Sequence, residues 1–316
     1  MKKLILLSML CMNLMASIAQ SPAGYEIRAN IKPYTKGHLF LAYHFGSKQY
    51  LIDSAAIGAN GLAVFKGPKK LLGGIYLIVF PKKNGWVECM LDKQQVFSVS
   101  ADTANLVGSL KFEGSSDNTV FGNYQQKSNE IGLALNNIRK NMTGKPGEPA
   151  FDSANARMRS LSMEMQAYRE NLQKNNPKHL LSAIFNLLKD PEIPPAAKHP
   201  GGKYDSTFAY NHYKEHYWDG ISFTDDRLIR TPVLQQRFDR YYDEVLPQQP
   251  DSLIRYVERM LTASKPSEEM FKFVLSSLTD KYINPKYMGQ DAVFVHLFEK
   301  YYMTIVFDKS VSNSKN

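Results

Sequence analysis

The segment Phe112-Glu-Gly-Ser-Ser-Asp-Asn118 divides the sequence into two parts that have different hydrophobic periods. On its amino-terminal side apolar residues alternate with polar ones, which is the period of a β-strand buried on one face. On its carboxyl-terminal side apolar residues recur at intervals of three and four, which is the period of an amphipathic helix. The change of period predicts an α+β protein, with a β domain at residues 20–115 and a helical domain at residues 116–304.

Upstream of this boundary, short runs rich in valine, isoleucine, tyrosine and phenylalanine predict about seven strands. Turn residues separate the runs. Asn60-Gly61 is the clearest turn, because this pair tolerates the positive φ of a tight hairpin. Strands of this length and spacing are typical of an antiparallel β sandwich or a partly open barrel. The predicted strands are residues 25–32, 38–45, 49–57, 62–66, 75–80, 86–91 and 95–100.

Downstream, two segments with heptad-like apolar patterns flank Thr143-Gly-Lys-Pro-Gly-Glu-Pro149, whose glycines and prolines break a helix. We expect the two segments to fold back on each other as an antiparallel αα-hairpin. The same pattern also permits pairing between two chains, so a monomer and a homodimer both stay open. The facing residues in the hairpin would be Ile131, Leu135 and Ile138 on one helix and Met158, Leu161 and Met165 on the other. Further helices are predicted at residues 177–189, 206–218, 231–245, 250–263, 267–282 and 291–303.

The composition is that of a globular protein with sizeable cores. Of the 316 residues 43% are hydrophobic, and 18 tyrosines and 17 phenylalanines exclude a disordered chain. The formal net charge is +9, but no nucleic-acid-binding motif accompanies the basic residues. After the first 19 residues, no segment approaches the roughly 20 apolar residues of a membrane-spanning helix. We therefore expect neither a nucleic-acid partner nor a transmembrane segment.

The first 19 residues have the pattern of a secretory signal peptide. Lys2 and Lys3 precede an apolar run at residues 4–15, and Ser17-Ile-Ala19 places small residues where a signal peptidase reads them. Cleavage before Gln20 would direct the protein to the periplasm or cell envelope. The last residues, 305–316, are predicted to form a polar tail.

Cleavage would also remove Cys11 and leave Cys89 as the single mature cysteine. Cys11 lies within the apolar run and lacks a small residue directly before it, so the pattern does not favour lipid attachment. One thiol cannot form an internal disulfide or carry out dithiol exchange on its own. Cys89 shares one face of a predicted strand with Val87 and Leu91, which predicts a buried structural thiol.

His212-Tyr-Lys-Glu-His216 is the sharpest candidate for a catalytic motif. On a helix, histidines four residues apart face the same way, and H-x-x-E-H is the pattern of inverted zinc peptidases. His212 and His216 would bind Zn²⁺ while Glu215 served as the general base, but a third protein ligand would still be needed. The alternative, an aromatic-rich helix that carries partly exposed histidines, is favoured. We expect no metal and no other cofactor.

A second polar cluster follows directly after this motif. Its acids and arginines are suited to a polar ligand, and Trp218 would supply a stacking surface. The structural alternative, which we favour, is a loop that caps the next helix and is shaped by Asp–Arg pairs. The candidate ligand-binding residues are Trp218, Asp219, Asp225, Asp226, Arg227 and Arg230.

Longer stretches of the sequence resemble a known family. Trp218-Asp-Gly-Ile-Ser-Phe-Thr-Asp-Asp-Arg-Leu-Ile-Arg-Thr-Pro232 and Met288-Gly-Gln-Asp-Ala-Val-Phe-Val-His-Leu-Phe-Glu-Lys-Tyr-Tyr302 resemble a helical domain of unknown function. In Gram-negative envelope proteins that domain precedes a thioredoxin-like redoxin domain. Asp53-Ser-Ala-Ala-Ile57, Asn60-Gly-Leu-Ala-Val-Phe-Lys-Gly67 and the boundary segment from Phe112 resemble the β domain that opens the same proteins.

The resemblance covers roughly residues 21–303 and implies the same two-domain fold. The family's thiol–disulfide exchange takes place at a C-x-x-C of the redoxin domain, to which no position of this sequence corresponds. The hypothesis is therefore an exported, non-catalytic module that binds or positions an envelope protein or a polar ligand. A metallohydrolase that uses the H-x-x-E-H helix and a truncated remnant without activity are the alternatives.

Overall fold

The computed structural model describes residues 24–303, in which a β domain precedes a helical domain as predicted. The predicted signal peptide and the polar tail lie outside the described residues. A 3₁₀ turn at Thr103–Asn105 and a helical turn at Leu106–Ser109 connect the last two strands of the β domain. The strands within the described range are β1 Tyr25–Lys32, β2 His38–Phe45, β3 Lys48–Ala56, β4 Leu62–Gly67, β5 Gly74–Val79, β6 Trp86–Leu91, β7 Val96–Asp102 and β8 Lys111–Glu113.

The strands form two four-stranded sheets, in the orders β4-β1-β7-β8 and β3-β2-β5-β6. The pairing is antiparallel throughout except between β1 and β7, which run parallel. The predicted antiparallel sandwich is confirmed, and the parallel pair β1–β7 is its one exception among the described strands. Parallel neighbours need a long connection, and the whole second sheet lies between β1 and β7 in the chain. The prediction also missed β8, which has only three residues and so shows no alternation.

The sheet β3-β2-β5-β6 is the middle layer of three. Tyr76 and Cys89 lie opposite each other on β5 and β6 and belong to the core between the two sheets. Their neighbours Ile75 and Met90 point to the other face and belong to the core of the helical domain. Strand alternation therefore supplies both cores from one sheet. Cys89 is fully buried, and this burial raises the pKa of its thiol well above the usual range.

The helical domain begins with the predicted hairpin, formed by α1 Ser116–Asn141 and α2 Pro149–Asn175. The Ser115 hydroxyl caps α1 by accepting a hydrogen bond from the backbone N–H of Asn118 at 3.2 Å. The seam between the helices contains a small cluster of buried residues, with Leu135 and Ile138 half-buried around it; the cluster comprises Ile131, Leu161 and Met165. Met158, which was also expected at the seam, is half-buried and lies outside this cluster.

The remaining helices pack around a second, larger core that also takes in Ile75 and Met90 of the middle sheet. No helix within residues 24–303 is both long enough and apolar enough to span a lipid bilayer. The helices are α3 Leu180–Leu188, α4 Ser206–Glu215, α5 Leu234–Arg240, α6 Pro250–Ser264, α7 Glu268–Ile283 and α8 Asp291–Leu297. Two π-helical turns extend α5 and α8, at Tyr241–Val245 and Phe298–Met303, and 3₁₀ turns lie at Ala196–Lys198, Pro200–Gly202 and Asp226–Arg230.

Candidate functional site

The acids and arginines of segment 218–232 lie where the helical domain meets the β domain. Asp225 caps the 3₁₀ turn and accepts hydrogen bonds from Nε and Nη2 of Arg227, both at 2.7 Å. The Nη1 of Arg227 donates to Asp92, which follows β6, at 2.5 Å. These hydrogen bonds, above all those with Asp225, raise the pKa of Arg227 beyond its already high value. Arg227 thus links the two domains as a permanently charged group held between two carboxylates.

Arg230 makes a second link a few residues on. Its side chain is 2% exposed, donates from Nε to the carbonyl of Gly73 at 2.8 Å, and pairs through Nη2 with Asp226 at 2.7 Å. A Cβ on Gly74 would collide with the Cβ of Arg230, and one on Gly73 would lie 2.7 Å from Cγ of Arg227. Gly73 and Gly74, at the start of β5, therefore permit the close approach of the two arginines to this strand. We call this set the domain joint; it comprises Gly73, Gly74, Asp92, Asp225, Asp226, Arg227 and Arg230.

Trp218 and Asp219, the other two candidates, lie apart from the domain joint. Trp218 is half-buried in an aromatic cluster, at ring-centroid distances of 5.1–5.2 Å from Tyr217, Phe223 and Tyr241. Its buried indole Nε1 has no hydrogen-bond partner among the described residues. Asp219 is exposed and lies 2.6 Å from Nδ1 of His216. Both residues line a pocket of about 190 Å³, together with the aromatic side chains of Phe223, Tyr241 and Tyr256.

The H-x-x-E-H residues do not converge on one point. His212 and His216 lie side by side at the end of α4, with ring centroids 4.1 Å apart. Glu215 instead accepts hydrogen bonds from Arg259 at 2.8 Å and Tyr256 at 2.9 Å. The bond from Arg259 is the main reason that the pKa of Glu215 lies below its usual value. Within the described part of the chain, no group of three or more histidine, cysteine, aspartate or glutamate side chains is placed to hold a metal ion.

The two histidines line an open polar pocket of about 440 Å³, here called the histidine pocket. Asp190 lies in it and is held in place, since it accepts hydrogen bonds from Tyr213 Oη at 3.0 Å and Arg240 Nη1 at 3.1 Å. The histidine pocket therefore presents charges of both signs on a fixed wall. Its polar lining consists of Asn186, Lys189, Asp190, Glu192, His212, His216, Asp219 and Arg237.

A larger groove of about 590 Å³, here called the hairpin groove, runs between the αα-hairpin and α3. Its apolar lining consists of Ile131, Leu135, Met165, Phe185 and Leu188. Lys189, Asp190 and Glu192 line both the hairpin groove and the histidine pocket, so the two form one continuous trough. Sequence reasoning did not find this trough. The proline-rich loop 190–195 was a local signal for it, but the residues of the trough come from five separate segments.

Comparisons with known proteins match two separate parts of the chain. Residues 25–121 match a family model described as "Domain of unknown function (DUF4369)", and residues 158–314 match one described as "Domain of unknown function (DUF5106)". The chain thus carries two domains of unknown function, one over the β sandwich and one from α2 onward. Residues 122–157, which include the tip of the hairpin, lie in neither match. No curated protein and no solved structure matches the chain.

Proposed function

We propose that the chain is an exported, non-catalytic module of the cell envelope that binds or positions a partner through the trough. The observation that carries this proposal is that most of the candidate polar residues near the site make structural contacts within the chain. Four of the six candidate ligand-binding residues fasten the helical domain to the β domain, and Glu215 is held by α6. The charges of the trough, by contrast, line an open surface. A fixed scaffold that presents an open surface is suited to recognition.

The lining of the trough favours an envelope protein over a small ligand. An apolar strip between charged edges is the pattern of protein–protein interfaces, in which a desolvated centre lies within a polar rim. The hairpin groove supplies the apolar strip, and the charged residues that line it beside this strip are Arg169, Glu170, Lys189, Asp190 and Glu192. The resemblance to redoxin-type proteins makes a thiol–disulfide oxidoreductase the first partner to test.

Site-specific photo-crosslinking in intact cells tests the trough. A benzophenone amino acid replaces Leu188, which lines the hairpin groove and is 47% exposed. The matched control is Leu133 of α1, which is 62% exposed and does not line the groove. We expect position 188 to give one discrete cross-linked partner and position 133 to give none. Identical adducts from both positions, or no adduct from position 188, would contradict the proposal.

The proposed export of the protein to the periplasm or cell envelope has its own test. Cell fractionation and intact-mass measurement should place the protein in the periplasmic or envelope fraction, with Gln20 as its first residue. A cytoplasmic protein that retains residues 1–19 would contradict export and would leave the trough proposal to be judged by cross-linking alone.

The placement of His212 and His216 keeps a metallohydrolase as the second candidate function. Their ring centroids lie 4.1 Å apart and both rings line the same pocket, as two histidines that bind one metal ion would. We expect no stoichiometric zinc, because Glu215 is bound to Arg259 and a site needs further convergent ligands and an oriented second shell. Elemental analysis after dialysis compares the mature protein with the His212→Ala, His216→Ala double variant. One equivalent of zinc that disappears in the double variant would overturn the non-catalytic proposal.

A further inference from the structure

A smaller cavity adjoins the histidine pocket, and Asp219 lines both of them. It has a volume of about 190 Å³, and its lining comes from the end of α4, the loop after it, the π-helical turn that extends α5, and helix α6. We call it the aromatic pocket. Its aromatic walls consist of Trp218, Phe223, Tyr241 and Tyr256. The charged residues that line it are Glu215, Asp219 and Arg259.

One polar group of the aromatic pocket has no partner. Tyr241 is 4% exposed, and its hydroxyl makes no hydrogen bond to any described residue. Burial raises the pKa of this hydroxyl, Tyr256 and Glu215 raise it further, and Arg259 opposes them. These three neighbours all line the pocket, which places the hydroxyl beside the cavity. Because buried polar groups in proteins almost always have a partner, this hydroxyl calls for a polar group that enters the pocket.

The lining is suited to a ligand that is apolar on its faces and polar around its edge. Aromatic ring faces carry partial negative charge and attract C–H groups. Glu215 and Asp219 accept hydrogen bonds and Arg259 donates them, whereas the Tyr241 hydroxyl does both. A sugar ring matches this lining, because it has C–H groups on its faces and hydroxyls around its edge. A phenyl ring would instead leave the Tyr241 hydroxyl unpaired, which costs free energy.

We propose that the aromatic pocket binds one neutral six-membered sugar ring. The charged residues of the lining already have partners of their own. Arg259 pairs with Glu215 at 2.8 Å, and Asp219 lies 2.6 Å from Nδ1 of His216. These contacts leave donors and acceptors available for hydroxyls but do not favour an ionic ligand. The cavity is also smaller than the roughly 300–1,000 Å³ of pockets for drug-sized ligands, so it has room for one ring and not for a chain of them.

The geometry is suited to binding a sugar rather than to cleaving it. Glycoside hydrolysis needs a carboxylic acid whose pKa is raised, so that it can protonate the leaving group. The pKa of Glu215 is instead lowered, chiefly by its hydrogen bond with Arg259. Sugar binding does not rest on the proposed role of the trough, because the cross-linking at Leu188 and the binding of a sugar can each fail without the other.

Isothermal titration calorimetry of the mature protein, residues 20–316, with D-glucose, D-galactose, D-mannose and N-acetyl-D-glucosamine tests this site. We expect at least one of these sugars to bind with a dissociation constant on the order of 1 mM, because a ligand of so few atoms has limited affinity. Tyr241→Phe removes only the hydroxyl and should weaken binding about 3- to 10-fold. Absence of binding by all of these sugars up to about 50 mM, well above that constant, would overturn the proposal.

Tyr282→Phe is the matched control. Tyr282 is 2% exposed, its hydroxyl also lacks a partner among the described residues, and it does not line the aromatic pocket. This variant should bind the sugar like the parent, and neither tyrosine variant should lower the thermal midpoint, since neither loses a hydrogen bond within the chain. Ala263→Phe, at an exposed position of the lining, should fill the pocket and abolish binding. Binding that survives both Tyr241→Phe and Ala263→Phe would place the sugar elsewhere and contradict the proposal.

Tryptophan fluorescence gives an independent readout, because the sequence contains only Trp86 and Trp218. Trp86 is 45% exposed on β6 and does not line the pocket, so Trp86→Phe leaves Trp218 as the reporter. The sugar should change its emission with the dissociation constant found by calorimetry. N-acetyl-L-tyrosinamide serves as a second probe. If it binds in a manner sensitive to Tyr241→Phe and the sugars do not, the pocket takes a tyrosine side chain of a partner protein, and the sugar assignment is wrong.

Discussion

The αα-hairpin and the domain joint differ sharply in how much chain they use and how much they bury. The hairpin helices have 26 and 27 residues, yet the cluster of buried residues at their seam has only three members. The 3₁₀ turn of the domain joint has five residues, and three of them, Leu228, Ile229 and Arg230, are at most 2% exposed. A long hydrophobic pattern therefore does not imply a large core. The number of helices and strands that pack against a segment decides how much of that segment is buried.

The surroundings of the two regions explain the difference. The hairpin helices also contact β6, β8 and α3, but the buried cluster at their seam is formed by residues of these two helices alone. The 3₁₀ turn of the joint instead contacts β2 and β5 of the middle sheet and α3 and α7 of the helical domain. The Thr231 hydroxyl closes the turn by donating to the Leu228 carbonyl at 2.7 Å. We infer that the joint contributes most to the stability of the two-domain unit and that the hairpin tolerates change.

The largest effect is expected at the joint. Arg230→Ala removes a cation that is 2% exposed, and it leaves the Gly73 carbonyl without its donor and Asp226 without its partner. Removing one member of a fully buried pair destabilises a protein by about 3–5 kcal/mol, and because Asp226 is 34% exposed we expect a loss at the lower end of this range. Chemical denaturation of the mature protein should show this loss as a lower free energy of unfolding.

Arg240→Ala is the matched control, because Arg240 also pairs with an aspartate, Asp190, but is 46% exposed. An exposed ion pair contributes about 0–1 kcal/mol, so its removal should have a small effect. If Arg230→Ala cost no more than Arg240→Ala, the joint would not be the stabilising contact between the domains.

A smaller effect is expected at the hairpin seam. Leu161 is 5% exposed, and Leu161→Ala should cost about 2–3 kcal/mol, at the lower end for core leucines because the narrow seam can partly collapse. Leu135→Ala should cost less, since Leu135 is only half-buried, and the exposed Asn136→Ala should cost well under about 1 kcal/mol. Denaturation midpoints measured at two protein concentrations show whether the seam acts within one chain. Equal losses for Leu161 and Asn136 would mean that the seam carries no core.

Most of the fold, but little of the domain joint, was predictable from the sequence. Strand alternation predicted the exact bounds of β1, β2 and β6, and the intervals of three and four residues predicted the hairpin. These patterns are local. Arg227 and Arg230 were recognised as members of a polar cluster, but their partners Asp92 and Gly73 lie well over 100 residues away in the chain. No local pattern encodes such pairs, and the same holds for the trough, whose walls meet only after the domains have packed.

The domain joint and the αα-hairpin are also expected to differ in how their stability depends on pH. His179 precedes α3 beside the joint, and its Nδ1 accepts a hydrogen bond from the Leu181 N–H at 3.2 Å. Burial lowers the pKa of His179, and this effect outweighs the attraction of Asp117, whose carboxylate lies 3.6 Å from Nε2. Arg227 also lowers this pKa, and Asp92 raises it slightly.

A histidine whose pKa is lower in the folded state binds its proton more tightly in the unfolded state, so stability falls as the pH drops below about 6.5. We therefore expect the thermal midpoint to fall by roughly a few degrees between pH 7.5 and 5.5. His179→Asn removes the titrating group while asparagine keeps a capping side chain, so the fall should be smaller in this variant.

The hairpin pair Lys127–Glu164 is the matched comparison. The pKa of Glu164 is lowered, chiefly by its hydrogen bond with Lys127, so this pair is lost only at a pH below the carboxylate range. Glu164→Gln should therefore leave the fall between pH 7.5 and 5.5 unchanged. If His179→Asn and Glu164→Gln both kept the full dependence, the acid sensitivity would lie outside both regions.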